Sequence, residues 1–306
     1  MNCFSKLNIR VKMKNKIYRL IKSPMQVLSI VLNKILLFKT REYVAEPSSR
    51  SDSENGYYIR AVYDSLRGYK SFSNFKRNPN YQSVLEHVTK DQGQAYLDIL
   101  TRAAPTLLTN IEQFKINDIV GNPFVFEYKN VGFISPTTLR YVKVAADLNR
   151  LFGNDVGDQV VEIGVGYGGQ ALIFDKIFMV NSYELIDLPP VLKLASKYLE
   201  SHILSNSYKV STLNQKTGKD EYDLVISNYA FSELPEKLQL MYIKKILIKS
   251  KKGYLTMNSG KTDISLRGKG KLTLQQLKNL LPPFELLEED PLTGPDNYII
   301  VWGHKK

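Results

Sequence analysis

From about residue 159 onward, apolar runs of five or six residues alternate with amphipathic stretches. That is the pattern of strands joined by crossover helices in a parallel sheet. The strands predicted are 159–163, 181–186, 208–213, 222–227, 252–257, 284–289 and 297–302, the last two close enough in sequence to form a hairpin. Ahead of them, residues 57–116 read as mainly helical. Tyr81, Val84, Leu85 and Val88 recur at helical spacing, as do Tyr96, Leu97, Ile99 and Leu100. A polar break at Gly121, Asn122 and Pro123 precedes a short strand at 124–128 (FVFEY). Ser135-Pro136-Thr137-Thr138 has the chemistry of a helix start, with serine as cap and proline in the first turn, and the helix runs over 139–152. Residues 46–56 (EPSSRSDSENG) read as a linker.

Charge changes this picture only at the N-terminus. The net charge of +12 over 306 residues is uneven: residues 1–41 hold ten Lys or Arg and no acid, leaving 32 basic against 30 acidic residues elsewhere. A nearly neutral remainder argues against a nucleic-acid partner, which calls for basic residues along a folded face. Within the basic segment, 25–38 (MQVLSIVLNKILLF) is interrupted by Asn33 and Lys34. It falls short of the roughly 20 apolar residues that span a bilayer. No small-residue cleavage signature follows, so a signal peptide is not expected. The segment could lie on an anionic membrane surface as an amphipathic helix, or dock on its own domain or a second subunit, or stay a solvated tail. The expected location is cytoplasmic, with the inner membrane face open to residues 1–41. One cysteine (Cys3) excludes an internal disulfide framework, and three scattered histidines (His87, His202, His304) argue against a metal site.

The clearest candidate chemistry lies at 160–170 (VVEIGVGYGGQ). A buried-strand run is followed at once by Gly164, Gly166, Gly168, Gly169 and Gln170. Such glycines let a ligand approach the backbone, and amides at the following helix start can face a polar or anionic group. Glycines 164, 166 and 169 also satisfy the dinucleotide-binding spacing, so the loop alone does not choose a cofactor. Glu162, two residues before the first glycine, would be unwelcome beside a pyrophosphate. Asp187, at the end of the next predicted strand, can accept both hydroxyls of a ribose; Glu184, the competing acid, lies inside that strand.

Further segments carry a resemblance: FKRNPNYQSVLEHV (75–88), GNPFVFEY (121–128), ISPTTLRY (134–141), VEIGVGYGGQ (161–170) and SNYAFSEL (227–234). Together they resemble the sugar O-methyltransferases of bacterial surface-polysaccharide loci, within the class I S-adenosylmethionine-dependent methyltransferases. The resemblance covers about residues 57–303. It implies an α/β fold: a Rossmann-like seven-stranded sheet with the last strand antiparallel, preceded by an N-terminal helical region. The implied domains are a basic apolar segment (1–45), a linker (46–56), a helical lid or substrate region (57–129) and the methyltransferase domain (130–306). The implied cofactor is S-adenosyl-L-methionine, with Glu162 orienting the loop near the cationic methionine end. Gly164, Gly166, Gly168, Gly169, Gln170, Asp187, Leu188 and Asn228 complete its surroundings. Arg140, a fork of paired donors, is the candidate for its carboxylate.

In related small-molecule enzymes the segment after the fourth sheet strand supplies a catalytic base. Plant members place a histidine there, whereas this chain offers Asn228, Tyr229, Ser232 and Glu233. Glu233 is the candidate general base, capping of a helix near Pro235 being its structural alternative. Tyr229, Ser135 and Thr138 are candidate contacts to a sugar or glycan acceptor, and Asn214 a weaker one to adenine. Tyr229-Ala230 stands where nucleic-acid adenine methyltransferases need Pro-Pro, which argues against that class. His304 and Glu288-Glu289-Asp290 read as surface. The expected activity is O-methylation of a sugar hydroxyl in a surface glycan or its precursor. An NAD(P)-dependent oxidoreductase using the same glycines and a non-catalytic, membrane-associated scaffold are the rivals.

Overall fold

Residues Phe126–Tyr128 (β1) and Gly132–Ile134 (β2) form a small antiparallel hairpin, turned at Asn130 with φ 65°. The main sheet follows: β3 (Gln159–Ile163), β4 (Ser182–Ile186), β5 (Tyr208–Ser211), β6 (Tyr222–Asn228), β7 (Ser250–Met257), β8 (Glu285–Glu288) and β9 (Tyr298–Trp302). The order across it is β5-β4-β3-β6-β7-β9-β8. The first five pair in parallel, and β9 runs antiparallel between β7 and β8. This is the sheet that the resemblance implies, with every predicted strand end within two residues of the observed one. The computed structural model describes residues 56–304 apart from 219 and 262–269. The basic segment 1–45, with its membrane reading, and the linker up to residue 55 lie outside the described residues. No described helix is long and apolar enough to cross a membrane.

Period-two alternation assigns the sheet's side chains to two cores. Val160, Leu224, Ile299 and Val301 join one cluster, while Val161, Val225, Ile300 and Trp302 join the other. Helices Glu236–Lys245 and Leu274–Leu280 supply the second cluster with Tyr242, Ile243 and Leu277. Helices α1 (Tyr57–Leu66), α2 (Lys90–Ala103) and α3 (Pro136–Phe152) supply the first, together with α4 (Gly169–Asp175) and α5 (Pro189–Leu199). Tyr58, Phe75, Tyr81, Tyr96 and Phe114 belong to the same cluster as β3 and β6, so residues 57–129 share the sheet's core.

Local chemistry sets the helix starts. Ser135 Oγ accepts the Thr137 amide (3.3 Å), Pro136 occupies the first turn of α3, and Gly153 ends that helix at φ 72°. Thr89 and Gln92 cap α2 reciprocally. Two local expectations change. The 81–88 spacing yields only a single helical turn, Pro79–Gln82, which Asn78 caps and which gives way to turns through Glu86. The FVFEY strand begins at Phe126 and is one arm of a hairpin whose second arm the pattern did not suggest.

Candidate functional site

Crossovers from β3 run to β4 and β5 on one side, and the chain then returns to β6 and β7 on the other. The carboxyl end of β3 is therefore a topological switch point, where open α/β sheets form ligand crevices. The glycine loop occupies that end. At Gly164 the backbone takes φ 76°, and a Cβ there would fall 1.9 Å from the Cβ of Ala230. Both demands select glycine. Gly166 lies beneath Leu85 and Gly169 beneath Tyr141, so residues from the helical region and from α3 cover the loop.

Two carboxyls flank it. Asp187 Oδ2 accepts the amides of Val165 (2.8 Å) and Gly166 (3.4 Å), and its Oδ1 accepts that of Leu188 (2.7 Å). Burial pushes Asp187 up to about 6 despite those amides, which favour its charged form. Glu162 is 2% exposed and accepts the Tyr183 hydroxyl (2.7 Å). Burial pushes it up to about 8, the Tyr183 bond working the other way. Glu184 points elsewhere: it is held by Lys216 (2.9 Å), Tyr222 (3.0 Å) and Ser211.

Gln170, at the start of α4, donates to the Tyr141 carbonyl (3.3 Å) and accepts from Asn228 Nδ2 (3.4 Å), so the loop meets the end of β6. Asn228 Oδ1 is buried at this junction without a hydrogen-bond partner. An unmet buried polar group costs about 1–3 kcal/mol, so the position suits a ligand's donor.

Beyond Asn228 opens a cleft of about 350 Å³ of empty space, including its mouth. Tyr96 from α2, Arg140 and Tyr141 from α3, Asn228, Tyr229, Thr256 and Glu289 line it. Arg140 donates to the Leu85 carbonyl (3.3 Å). Burial opposes its charge, but Tyr141, Tyr96, Tyr229 and Glu86 outweigh that and keep the guanidinium cationic.

The structure thus gathers the glycines, Gln170, Asp187, Leu188 and Asn228 at the carboxyl ends of β3, β4 and β6, with Asn228 reaching the cleft that Arg140 and Tyr229 line. Glu233 is outside that lining and accepts from Asn258 Nδ2 (3.0 Å). Ser135 and Thr138 are also outside it, both buried. The Ser135 hydroxyl caps α3, and Thr138 bridges Asp118 (2.6 Å) and Asn117 (2.7 Å). Asn214 is exposed. The surface reading of the acidic trio holds for Glu288; Asp290 is exposed but lines the cleft, and the reading is corrected for Glu289, which is 7% exposed and bonded to Tyr229, Thr293 and Asn297. The sequence marks the loop after β8 as turn-rich, but nothing in it says which of three adjacent acids turns inward. Helical spacing marks Tyr96, and nothing in the sequence sets it in a cleft. No group of three or more His, Cys, Asp or Glu among the described residues could hold a metal.

No family model matches the chain, and no curated protein matches it. Solved structures similar to it include a magnesium protoporphyrin IX methyltransferase from Synechocystis PCC 6803 with bound S-adenosylhomocysteine. It is 13% identical over 53% of this chain and 80% of its own, with a TM-score of 0.40. The mitomycin 7-O-methyltransferase MmcR is 12% identical, covering 81% of this chain and 68% of its own at a TM-score of 0.42. A Haloferax volcanii complex of the Trm112 activator with a methyltransferase is 16% identical over 53% and 87%, at 0.41.

Proposed function

We propose that this chain is an S-adenosylmethionine-dependent O-methyltransferase acting on a sugar hydroxyl of a surface glycan or its precursor. The observation that carries the reading is the pair of buried carboxyls, Glu162 and Asp187, beside a glycine loop at the switch point of the sheet. A cationic adenosyl ligand beside Glu162 would favour its charged form and draw off the proton that burial holds there, which a pyrophosphate would not; Asp187 suits the ribose of either cofactor. Asp187 would hold the ribose, Gln170 and Asn228 the region between loop and β6, and Arg140 the ligand's carboxylate. Orphaned Asn228 Oδ1 is consistent with this fit. When bound, the cofactor supplies a methyl group activated by its sulfonium.

The cleft supports a polyol acceptor. Tyr96 and Tyr141 offer aromatic faces, while Tyr229, Thr256 and Glu289 offer donors and acceptors for hydroxyls. Holding the acceptor oxygen in line with the methyl carbon supplies much of the rate in such transfers.

Calorimetric titration with S-adenosylmethionine, S-adenosylhomocysteine and NAD tests the reading. Both adenosyl ligands are expected to bind and NAD not; binding of NAD alone would overturn it in favour of an oxidoreductase.

A further inference from the structure

Tyr229 has an unusual backbone for a tyrosine, φ 66° and ψ −33°. Non-glycine residues in such regions cost about 1–3 kcal/mol and persist where the surroundings impose them. Here its amide donates to the Thr256 carbonyl of β7 (2.9 Å), and its own carbonyl accepts from Ser232 (2.9 Å). The bend sends the ring into the cleft, where its hydroxyl donates to Glu289 Oε1.

Glu289 is held asymmetrically. Oε2 accepts three donors: the Thr293 amide (2.8 Å), the Thr293 hydroxyl (2.8 Å) and Asn297 Nδ2 (2.9 Å). Oε1 meets Tyr229. Because the Thr293 proton is committed to Glu289, the 3.2 Å contact between the Thr293 and Tyr229 hydroxyls leaves the phenol oxygen free to accept. That oxygen lies in a cleft shared with Arg140 and Tyr96.

We propose that Tyr229 and Glu289 form the proton-accepting pair of the acceptor cleft, an assignment that rests on the methyl-transfer reading. The acceptor hydroxyl donates to the Tyr229 oxygen as the phenol passes its own proton to Glu289 Oε1. The acceptor O–H bond breaks, its electron pair stays on oxygen, and that oxygen forms the new bond to the methyl carbon. The pair of the broken carbon–sulfur bond remains on the donor's sulfur. Glu289 ends protonated and returns its proton to solvent after product leaves. Burial first, and the Glu289 carboxylate next, push the Tyr229 phenol up, so it works as a relay and not as a standing phenolate. Charged Arg140 nearby steadies the negative charge in transit.

The test uses the full chain and Tyr229→Phe, Glu289→Gln and Glu233→Gln. Tritiated S-adenosylmethionine is offered with methyl glycosides and nucleoside diphosphate sugars, and S-adenosylhomocysteine affinity is measured alongside. Tyr229→Phe and Glu289→Gln are expected to bind S-adenosylhomocysteine within about threefold of wild type yet lose transfer by roughly 100-fold or more. Retained transfer in both, with loss in Glu233→Gln, overturns the pair.

A second measurement needs no acceptor. With fluorotyrosine at 229, the ¹⁹F chemical shift is expected to move in Glu289→Gln, because the phenol then loses its bond to a charged acceptor. An unchanged shift overturns the pairing. A wild-type chain that binds no adenosyl ligand overturns the methyltransferase reading instead, and the fluorine shift separates the two failures.

Discussion

Burial costs a carboxyl its charge unless something offsets it, and Glu162 shows the consequence most sharply. Its carboxyl is pushed to about 8 in the folded chain, against an ordinary value of 4.5. Between those values the folded state binds more protons than the unfolded state, so stability falls as pH rises through the window. Glu162→Gln removes the titrating group, and its melting temperature is expected to vary less between pH 5 and pH 8 than that of wild type. An identical pH slope in the two proteins would show that Glu162 is not the group responsible. The identity of Glu162 and its distance from the first glycine were legible in the sequence. Its partner was not: Tyr183 lies on β4, paired with Val160, and comes within reach of Glu162 only through the parallel pairing of β3 with β4.

Between elements, the glycine loop is held by residues distant in the chain. Lys76 is fully buried, donates to the Asn117 carbonyl (2.6 Å), and lies 4.2 Å from the centre of the Tyr167 ring. Asn117 in turn donates to Tyr167 (3.1 Å) and Thr138 (2.7 Å) and accepts from Tyr198 (2.8 Å). One polar knot thus joins the helical region, α3, the loop and α5. Removing the lysine stem and its ammonium leaves a cavity and weakens that knot. Lys76→Ala is expected to lower stability by about 2–4 kcal/mol in urea unfolding. A loss below about 0.5 kcal/mol, the range of ordinary surface changes, would refute the bracing role. FKRNPNYQSVLEHV carried the resemblance without revealing why its lysine is there. A lone lysine in a polar stretch reads as surface until the aromatic side chains of Phe75, Tyr167 and Tyr198 are seen around it.

Across residues 56–304, one apolar cluster runs from Tyr58 to Val301, so the helical region and the sheet are expected to lose structure together. Trp302, the single tryptophan, reports the opposite face of the sheet. The tyrosines around Tyr58, Tyr81 and Tyr167 report the helical side. Urea transitions followed by tryptophan fluorescence and by tyrosine near-ultraviolet circular dichroism should coincide. Separate midpoints would mean that residues 57–129 unfold as a unit of their own.

Read alone, the chain specified the seven strands of the main sheet, the helix cap at Ser135 and the glycine turn. These follow from local rules: period-two burial, capping chemistry and the freedom of glycine, each contained within a few residues. It also placed Asp187 at a strand mouth, because a strand end is visible where an apolar run stops. Which polar residues meet in the cleft was decided by tertiary structure. Tyr229 and Glu289 are sixty positions apart and join only because β9 inserts between β7 and β8 and sets the preceding loop beside the end of β6. Hydrophobic patterning is a property of neighbours in sequence, whereas a hydrogen-bonded site is a property of neighbours in space.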